Sequence, residues 1–426
     1  MAEVRVRAAS LRRPFLHNIF FNPGDGLSPD EAAVLAVIAN PELRALRVRR
    51  GVAAAQVLQA GLLPNPGLSY SLDAPVGGVR AGKVTAFGLG LDWEVSRLIG
   101  RSARQEAARN DAAALDLDIA WKEWQVAQAA RLHAVNLFWI KKQLHLAKRR
   151  CRILGEEEAV LSRAERAGEA TALELAAVER SANAARLEVQ KIQGEKESER
   201  IALNRAVGFP PTAVIFLQPS LLASPEPIPP LKTLLAGLDE RRLDLVALRI
   251  GYASQEARLR AAVREQFPSL SLGLTGGRDS DRLRTAGFGI TIGLPLFDRN
   301  QAKIAAATAT RKELFDEYAS RLFSAREDVA ALRSKWATAA KQIGTLRNTL
   351  PSLRRRAAAC AMDMESGDQT RGSCLPLTEA ALAGEADLLQ QRRLQDELAV
   401  ALDLVTGTWH QSRIQGGGSP EISSTR

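Results

Sequence analysis

The sequence is poor in the residue types that build catalytic and metal sites. Its 426 residues include only three cysteines and four histidines. The cysteines form no CxxC motif or Cys/His cluster, which argues against a structural zinc site. No two histidines stand at metal-ligand spacing, and no Ser/His/Asp set or phosphate-binding loop is present. We therefore expect no enzymatic activity, no metal and no cofactor.

Long apolar segments are also missing. No run of 18 apolar residues occurs, so the sequence predicts no transmembrane helix. Several arginines precede the apolar run at 15–21, but this run is short and is interrupted by His17 and Asn18. It is not a clear signal peptide, and we expect residues 1–27 to be an unstructured N-terminal segment.

Aromatic residues make up only 5% of the chain, whose formal net charge is +10. Nucleic-acid binding would predict basic residues clustered with stacking aromatics. Here the arginines are interleaved with acidic residues and alanine, which is typical of solvated helix faces. We expect no nucleic-acid partner.

Two pairs of alternating segments stand out from this background. The second pair spans residues 268–276 and 284–297, and a similar pair at 67–76 and 83–96 precedes it by about 200 residues. Apolar side chains at every second position predict strands with one apolar face. The other face of the second pair is mainly Gly, Ser and Thr. Strands of about 9–11 residues with such faces are typical of a membrane β-barrel.

The rest of the chain is predicted to be mainly helical and internally duplicated. Long helices are predicted at about 100–167 and 299–366, and each is followed by a glycine-containing turn and a shorter return helix. A proline-rich stretch separates the two halves. We therefore expect a first repeat at 28–206, an equatorial linker at 207–235, a second repeat at 236–413 and a disordered tail at 414–426.

Three residues near the second turn are singled out by their chemistry. Pro351 lies inside the second long helix, where a proline removes a hydrogen bond and usually bends the helix, so we expect a flexure there. Cys360 and Cys374 lie on either side of Gly367. A disulfide between them would require an oxidising compartment, and two free thiols are the alternative.

The number of strands has a consequence for assembly. Open sheet edges are not tolerated in lipid, and the smallest bacterial barrels have about eight strands. Four strands per chain therefore require several copies to share one barrel. Three copies would give twelve strands.

Several short segments of the chain form a recognisable set. They are Leu27-Ser-Pro-Asp-Glu-Ala32, Asn40-Pro-Glu-Leu43, Gly61-Leu-Leu-Pro-Asn-Pro66, Leu294-Pro-Leu-Phe-Asp-Arg-Asn300 and Leu350-Pro351, with turn glycines at Gly168 and Gly367. In these segments the chain resembles the bacterial outer membrane efflux proteins, the TolC-like outer-membrane factors. The resemblance covers about residues 26–413, and the Asn-Pro-Glu-Leu and Leu-Pro-Asn-Pro segments look most like the heavy-metal-efflux branch.

This resemblance implies a homotrimeric channel with a twelve-stranded β-barrel in the outer membrane and a helical α-barrel in the periplasm. Its expected partners are outer-membrane lipid, a periplasmic adaptor protein and an inner-membrane pump of the resistance-nodulation-division type. Family members often carry a lipidated N-terminal cysteine, and here no cysteine precedes Cys151.

A channel of this kind must close at its periplasmic end. An acidic ring near the helical turns would select cations and hold inter-subunit salt bridges. The alternative is that these are ordinary solvated turn residues. The candidate gate residues are Arg166, Glu169, Asp363, Glu365 and Asp368.

Other functions remain open at the level of sequence. A soluble, elongated coiled-coil scaffold explains the helices but not the alternating hairpins. The outer-membrane component of a type I secretion system has the same expected architecture. A monomeric porin is disfavoured by the number of strands, and a periplasmic adaptor would need a lipoyl-like or β-barrel domain. The sequence does not identify the transported substrate.

Overall fold

The structure is a computed structural model that describes residues 26–78, 81–218, 228–366 and 369–408. Most of the predicted N-terminal segment and the whole predicted tail lie outside the described residues. Asp368 also lies outside them, and so does the side chain of Glu365.

The described chain is mainly helical, as predicted. A four-residue 3-10 helix, Val95–Leu98, joins the first pair of strands to the long helix that follows. The α-helices are α1 (Pro29–Ala39), α2 (Pro41–Gly61), α3 (Arg101–Arg166), α4 (Ala172–Val207), α5 (Leu231–Leu235), α6 (Leu238–Arg241), α7 (Leu243–Arg264), α8 (Gln301–Ser366) and α9 (Arg371–Thr406).

The internal duplication is visible in the lengths of these helices. The long helices α3 and α8 have 66 residues each, and the return helices α4 and α9 have 36 each. The helices before the strands, α2 and α7, have 21 and 22 residues.

Equivalent residues cap the two return helices. Thr171 and Thr370 are the N-caps, and each side chain accepts a hydrogen bond from the backbone N–H three residues later. Gly208 and Gly407 end the helices at φ 73° and 67°. A Cβ on Gly208 would lie 2.8 Å from the carbonyl oxygen of Ala39, so this helix end requires glycine for both conformation and space.

The strands are β1 (Gly67–Asp73), β2 (Ala86–Glu94), β3 (Ser269–Arg278) and β4 (Arg284–Gly293). They form one antiparallel sheet in the order β1-β2-β3-β4. Three of them are shorter than predicted. The predicted extension of β4 to residue 297 is wrong, because Pro295 has no N–H to donate to a sheet ladder.

The long helix α8 continues through Pro351. The helix runs from Gln301 to Ser366 without ending at this proline. One missing N–H removes only one hydrogen bond of the helix, and the neighbouring Leu350 is buried. Pro351 therefore does not interrupt the helix.

The chain divides into two compact units that cut across the sequence repeats. The first unit contains 1–44, 121–242 and 324–426, and the second contains 45–120 and 243–323. Hydrophobic clusters in the first unit join α1, α3 and α4 around Leu137 and Leu203, and α5, α6, α8 and α9 around Val329 and Leu402. None of the described helices is apolar over a stretch long enough to span a bilayer.

Candidate membrane sheet and helix-turn gate

The register of the sheet gathers the apolar side chains on one face. In an antiparallel sheet, directly paired residues lie on the same face. Tyr70 pairs with Leu89, and Leu274 pairs with both Leu91 and Phe288. The apolar face therefore comprises Leu68, Tyr70, Leu72, Phe87, Leu89, Leu91, Trp93, Leu270, Leu272, Leu274, Phe288, Ile290 and Ile292.

This apolar face is exposed in the single chain. Leu68 is 76% exposed, Phe288 is 64% exposed and Ile292 is 56% exposed. Soluble monomers rarely expose a continuous apolar surface of this extent. The face is therefore built to be covered by another molecule or by lipid.

The opposite face consists mainly of glycine, serine and threonine, and it also carries Asp73, Asp92 and Glu94. Gly88 pairs with Ser71 on one side and Gly277 on the other, and Gly273 pairs with Gly289 in β4. A face of glycine, serine and threonine suits the water-filled side of a membrane barrel. The sheet thus has the two-sided character predicted from its alternation.

The sheet is open at both edges within the chain. β1 and β4 each pair with one neighbour only, among the strands that the structure describes. Their outer backbone N–H and C=O groups need partners if the sheet lies in lipid. The described strands of one chain do not supply these partners.

The turn between α3 and α4 holds two of the predicted gate residues. Gly168 adopts a φ of 76°, and the N–H of Glu169 donates to the carbonyl oxygen of Ala164 at 2.8 Å. Arg166 and Glu169 are exposed, and Arg166 donates to the hydroxyl of Ser162 at 3.2 Å. Their side chains are directed to solvent in the single chain.

A third predicted gate residue, Asp363, lies in the last turn of α8. Asp363 is exposed, and its backbone carbonyl accepts hydrogen bonds from the N–H of Gln369 at 3.2 Å and the hydroxyl of Ser366 at 3.0 Å. Neither Glu169 nor Asp363 forms a salt bridge with another residue in the part of the chain that is described. The two carboxylates are thus available to groups outside the chain.

The second turn also carries the two cysteines of the predicted pair. Their sulfur atoms are bonded in the structure, and their Cα atoms are 5.6 Å apart. This bond ties the end of α8 to the first turns of α9. The remaining cysteine, Cys151, is unpaired and half-buried.

Sequence reasoning missed a buried charge network. Arg131 of α3 lies between Asp30 of α1 and Asp403 of α9, with its Nε 3.0 Å from Asp30 Oδ1 and its Nη1 2.5 Å from Asp403 Oδ2. All three side chains are largely buried. The spacing of these residues in the chain carries no periodic signal that would have shown the pairing.

A second buried carboxylate was also missed. The indole N–H of Trp139 donates to Oδ2 of Asp396 at 2.8 Å. Burial raises the pKa of Asp396 to about 6, while the indole hydrogen bond, Arg392 and Arg131 act in the opposite direction. The group is therefore partly protonated near pH 6.

The fold combines long helical hairpins with a small open β-sheet. Residues 234–408, which lie in the second half of the chain, match the family model described as outer membrane efflux protein. The resemblance expected from the sequence is thereby confirmed. No curated protein matches the chain by sequence.

Solved structures share the fold over nearly the whole chain. The Campylobacter jejuni CmeC outer membrane channel has a TM-score of 0.75 at 18% identity, covering 90% of this chain and 86% of its own. The Vibrio cholerae outer membrane protein VceC has a TM-score of 0.73 at 18% identity, covering 89% and 96%. CusC has a TM-score of 0.72 at 19% identity, covering 93% and 97%. These structures and the family describe channels, not enzymes.

Proposed function

We propose that the chain is the outer-membrane channel subunit of a tripartite efflux system. Three copies pool their four-stranded sheets into one twelve-stranded barrel. The observation that carries this proposal is the sheet itself, with one exposed apolar face, one small polar face and two unpaired edges. The likeness to solved outer-membrane channels supports it.

The unpaired edge strands β1 and β4 explain how the barrel closes. β1 of one copy pairs with β4 of the next, so that every backbone group of the sheet finds a partner. Twelve strands lie within the range of bacterial barrels, whereas four do not. The apolar face then lies against lipid and the polar face lines water.

The helical part of each copy lies in the periplasm and docks on an adaptor protein and an inner-membrane pump of the resistance-nodulation-division type. The repeats at 28–206 and 236–413 place six similar units around the axis of the trimer. Transport is passive, because the chain carries no catalytic constellation and the pump supplies the energy. The heavy-metal-efflux branch remains a prediction from the sequence motifs.

The gate lies at the two helix turns. Glu169 and Asp363 are exposed and without salt-bridge partners among the described residues, which suits a carboxylate that binds a neighbouring copy in the closed state. Pro351 lies about four helical turns before the end of α8 and is the proposed flexure. Opening is a movement of these turns when the adaptor binds.

Membrane fractionation tests the proposal against a soluble scaffold. The chain expressed with an export signal should sediment with outer membranes and resist extraction with alkaline carbonate, because a closed barrel is integral to the bilayer. A matched variant that replaces Ile290 and Ile292 with Asp should lose this resistance, since buried charges on the lipid-facing side cost several kcal/mol. Wild-type protein that washes into the soluble fraction would refute the proposed function.

A further inference from the structure

Two arginines lie side by side at the tip of the second hairpin. Arg278 ends β3, Arg284 begins β4, and the two residues pair directly in the sheet register. Both lie on the same face as Phe288, because each is separated from the apolar positions of its strand by an even number of residues. The guanidinium carbon of Arg278 lies 5.5 Å from the ring centroid of Phe87, which also belongs to that face.

The two positive charges are not neutralised by the carboxylates around them. Asp279 accepts hydrogen bonds from the backbone N–H groups of Asp281 and Leu283. Asp281 forms a salt bridge with Lys83. In the described part of the chain, neither Arg278 nor Arg284 forms a salt bridge.

Like charges directly opposite each other in an antiparallel pair destabilise the sheet. An anion between them would remove this repulsion. Arg284 is exposed, whereas Arg278 is half-buried. Nη2 of Arg278 donates to the carbonyl oxygen of Thr85 at 3.4 Å, and its Nε, which is shielded from solvent, has no hydrogen-bond partner among the described residues. The pair therefore offers two positive charges, and the guanidinium donors of Arg284, to an anion that approaches from the outward side.

The surface beside the pair restricts the anion to an amphiphile. The apolar residues Phe87, Leu274 and Phe288 continue from the arginines along the same face. The opposite ends of the strands connect to the helices, so the arginines lie at the end of the sheet that is away from α3 and α8. Under the proposed function this end is the outer-leaflet rim of the barrel.

We propose that Arg278 and Arg284 bind the phosphate group of an anionic lipid of the outer leaflet. The inference rests on the proposed function, because it requires the apolar face to lie in the membrane. Guanidinium groups match phosphate oxygens with paired, charge-assisted hydrogen bonds. The acyl chains would lie along the apolar face while the phosphate neutralises the two arginines.

Lipid titration of the full-length trimer in detergent tests this site. The ligands are bisphosphorylated lipid A, phosphatidylcholine and inorganic phosphate, and thermophoresis follows their binding. Lipid A should bind tightest. The double variant Arg278→Gln with Arg284→Gln should weaken lipid A binding about thirtyfold, since each arginine near a membrane surface contributes about 1 kcal/mol. Arg284→Gln alone should weaken it about fivefold, because the side chain of Arg284 is exposed and forms no hydrogen bond with another described residue.

The matched control removes two charges elsewhere. Arg326 and Arg355 are exposed on α8 and form no salt bridge with a described residue, so their double Gln variant should bind lipid A like the wild type. If the variants of Arg278 and Arg284 bound lipid A as tightly as the wild type does, the proposed site would be wrong. Equal affinity for inorganic phosphate or phosphatidylcholine would overturn recognition of an anionic lipid. If the wild-type protein resists carbonate extraction but shows no preference for lipid A, this site alone is refuted. If carbonate releases the wild-type protein from the membrane, the proposed function is refuted.

Discussion

The buried carboxylate of Asp396 makes the stability of the helical part depend on pH. Asp396 is 8% exposed, and its strongest described contact is the 2.8 Å hydrogen bond from the indole of Trp139. Burial is the largest cause of its raised pKa, which moves from 3.8 to about 6. The folded protein therefore holds this proton more tightly than the unfolded chain does.

The size of the effect follows from linkage. A shift of about two pKa units corresponds to about 3 kcal/mol of free energy of unfolding. Because folding raises the pKa of this acid, the stability of the protein falls as the pH rises. The stabilising contribution of the protonated carboxyl is fully present below the unfolded pKa, near 4, and is lost as the pH rises through the folded pKa, near 6. At pH 8 the folded protein carries a buried negative charge.

Replacing Asp396 with Asn removes this charge and keeps an oxygen that accepts the indole hydrogen bond. We expect the free energy of unfolding of the variant to be higher than that of the wild type by less than about 1 kcal/mol at pH 4 and by up to about 3 kcal/mol at pH 8. For a chain of 426 residues, 3 kcal/mol corresponds to a rise in Tm of about 3 °C. Thermal scans by circular dichroism in detergent measure this difference.

The control is Asp387→Asn, which removes a charge from an exposed position of the same helix. It should change Tm by less than about 1 °C at either pH. If the Tm difference between Asp396→Asn and the wild type were the same at pH 4 and pH 8, the carboxylate would titrate as an exposed group. The argument from burial would then be wrong.

Three further predictions concern the second helix turn. Replacing Asp363 and Asp368 with Ala should raise the leak conductance of undocked channels in planar bilayers, and the isosteric Asn variants should do the same if charge is responsible; unchanged closed-state conductance would count against this gate. Replacing Pro351 with Ala restores a helix hydrogen bond, so we expect less frequent opening in the same recordings; an unaltered open probability would remove the flexure. Non-reducing peptide mapping should recover Cys360 and Cys374 in one cross-linked peptide, and reduction should lower the free energy of unfolding by about 3 kcal/mol; recovery of both thiols free would exclude the bond.

The local elements were predictable because their signals are periodic. Alternation predicted the strand at 284–293 and its apolar face, although the strand was predicted to extend to 297, and Gly168 marked the end of the first long helix. The repeat in the sequence also anticipated the equal lengths of α3 and α8. Such patterns are set by backbone geometry and do not depend on distant contacts.

Contacts between distant segments were not predictable from the sequence. Trp139 and Asp396 are separated by 257 residues, and their hydrogen bond depends on how α3 and α9 pack. The charges around Arg131 likewise come from three helices. Each of the charged residues looks like part of a solvated helix face until the packing is known, because charged side chains are rarely buried unless they are paired.

Native mass spectrometry in detergent micelles tests the shared barrel most directly. Three chains of 46.1 kDa should appear as one species of about 138 kDa that persists after the detergent is removed. A 46 kDa species that stays monodisperse without detergent would contradict the account, because its apolar sheet face would then need neither lipid nor a second copy.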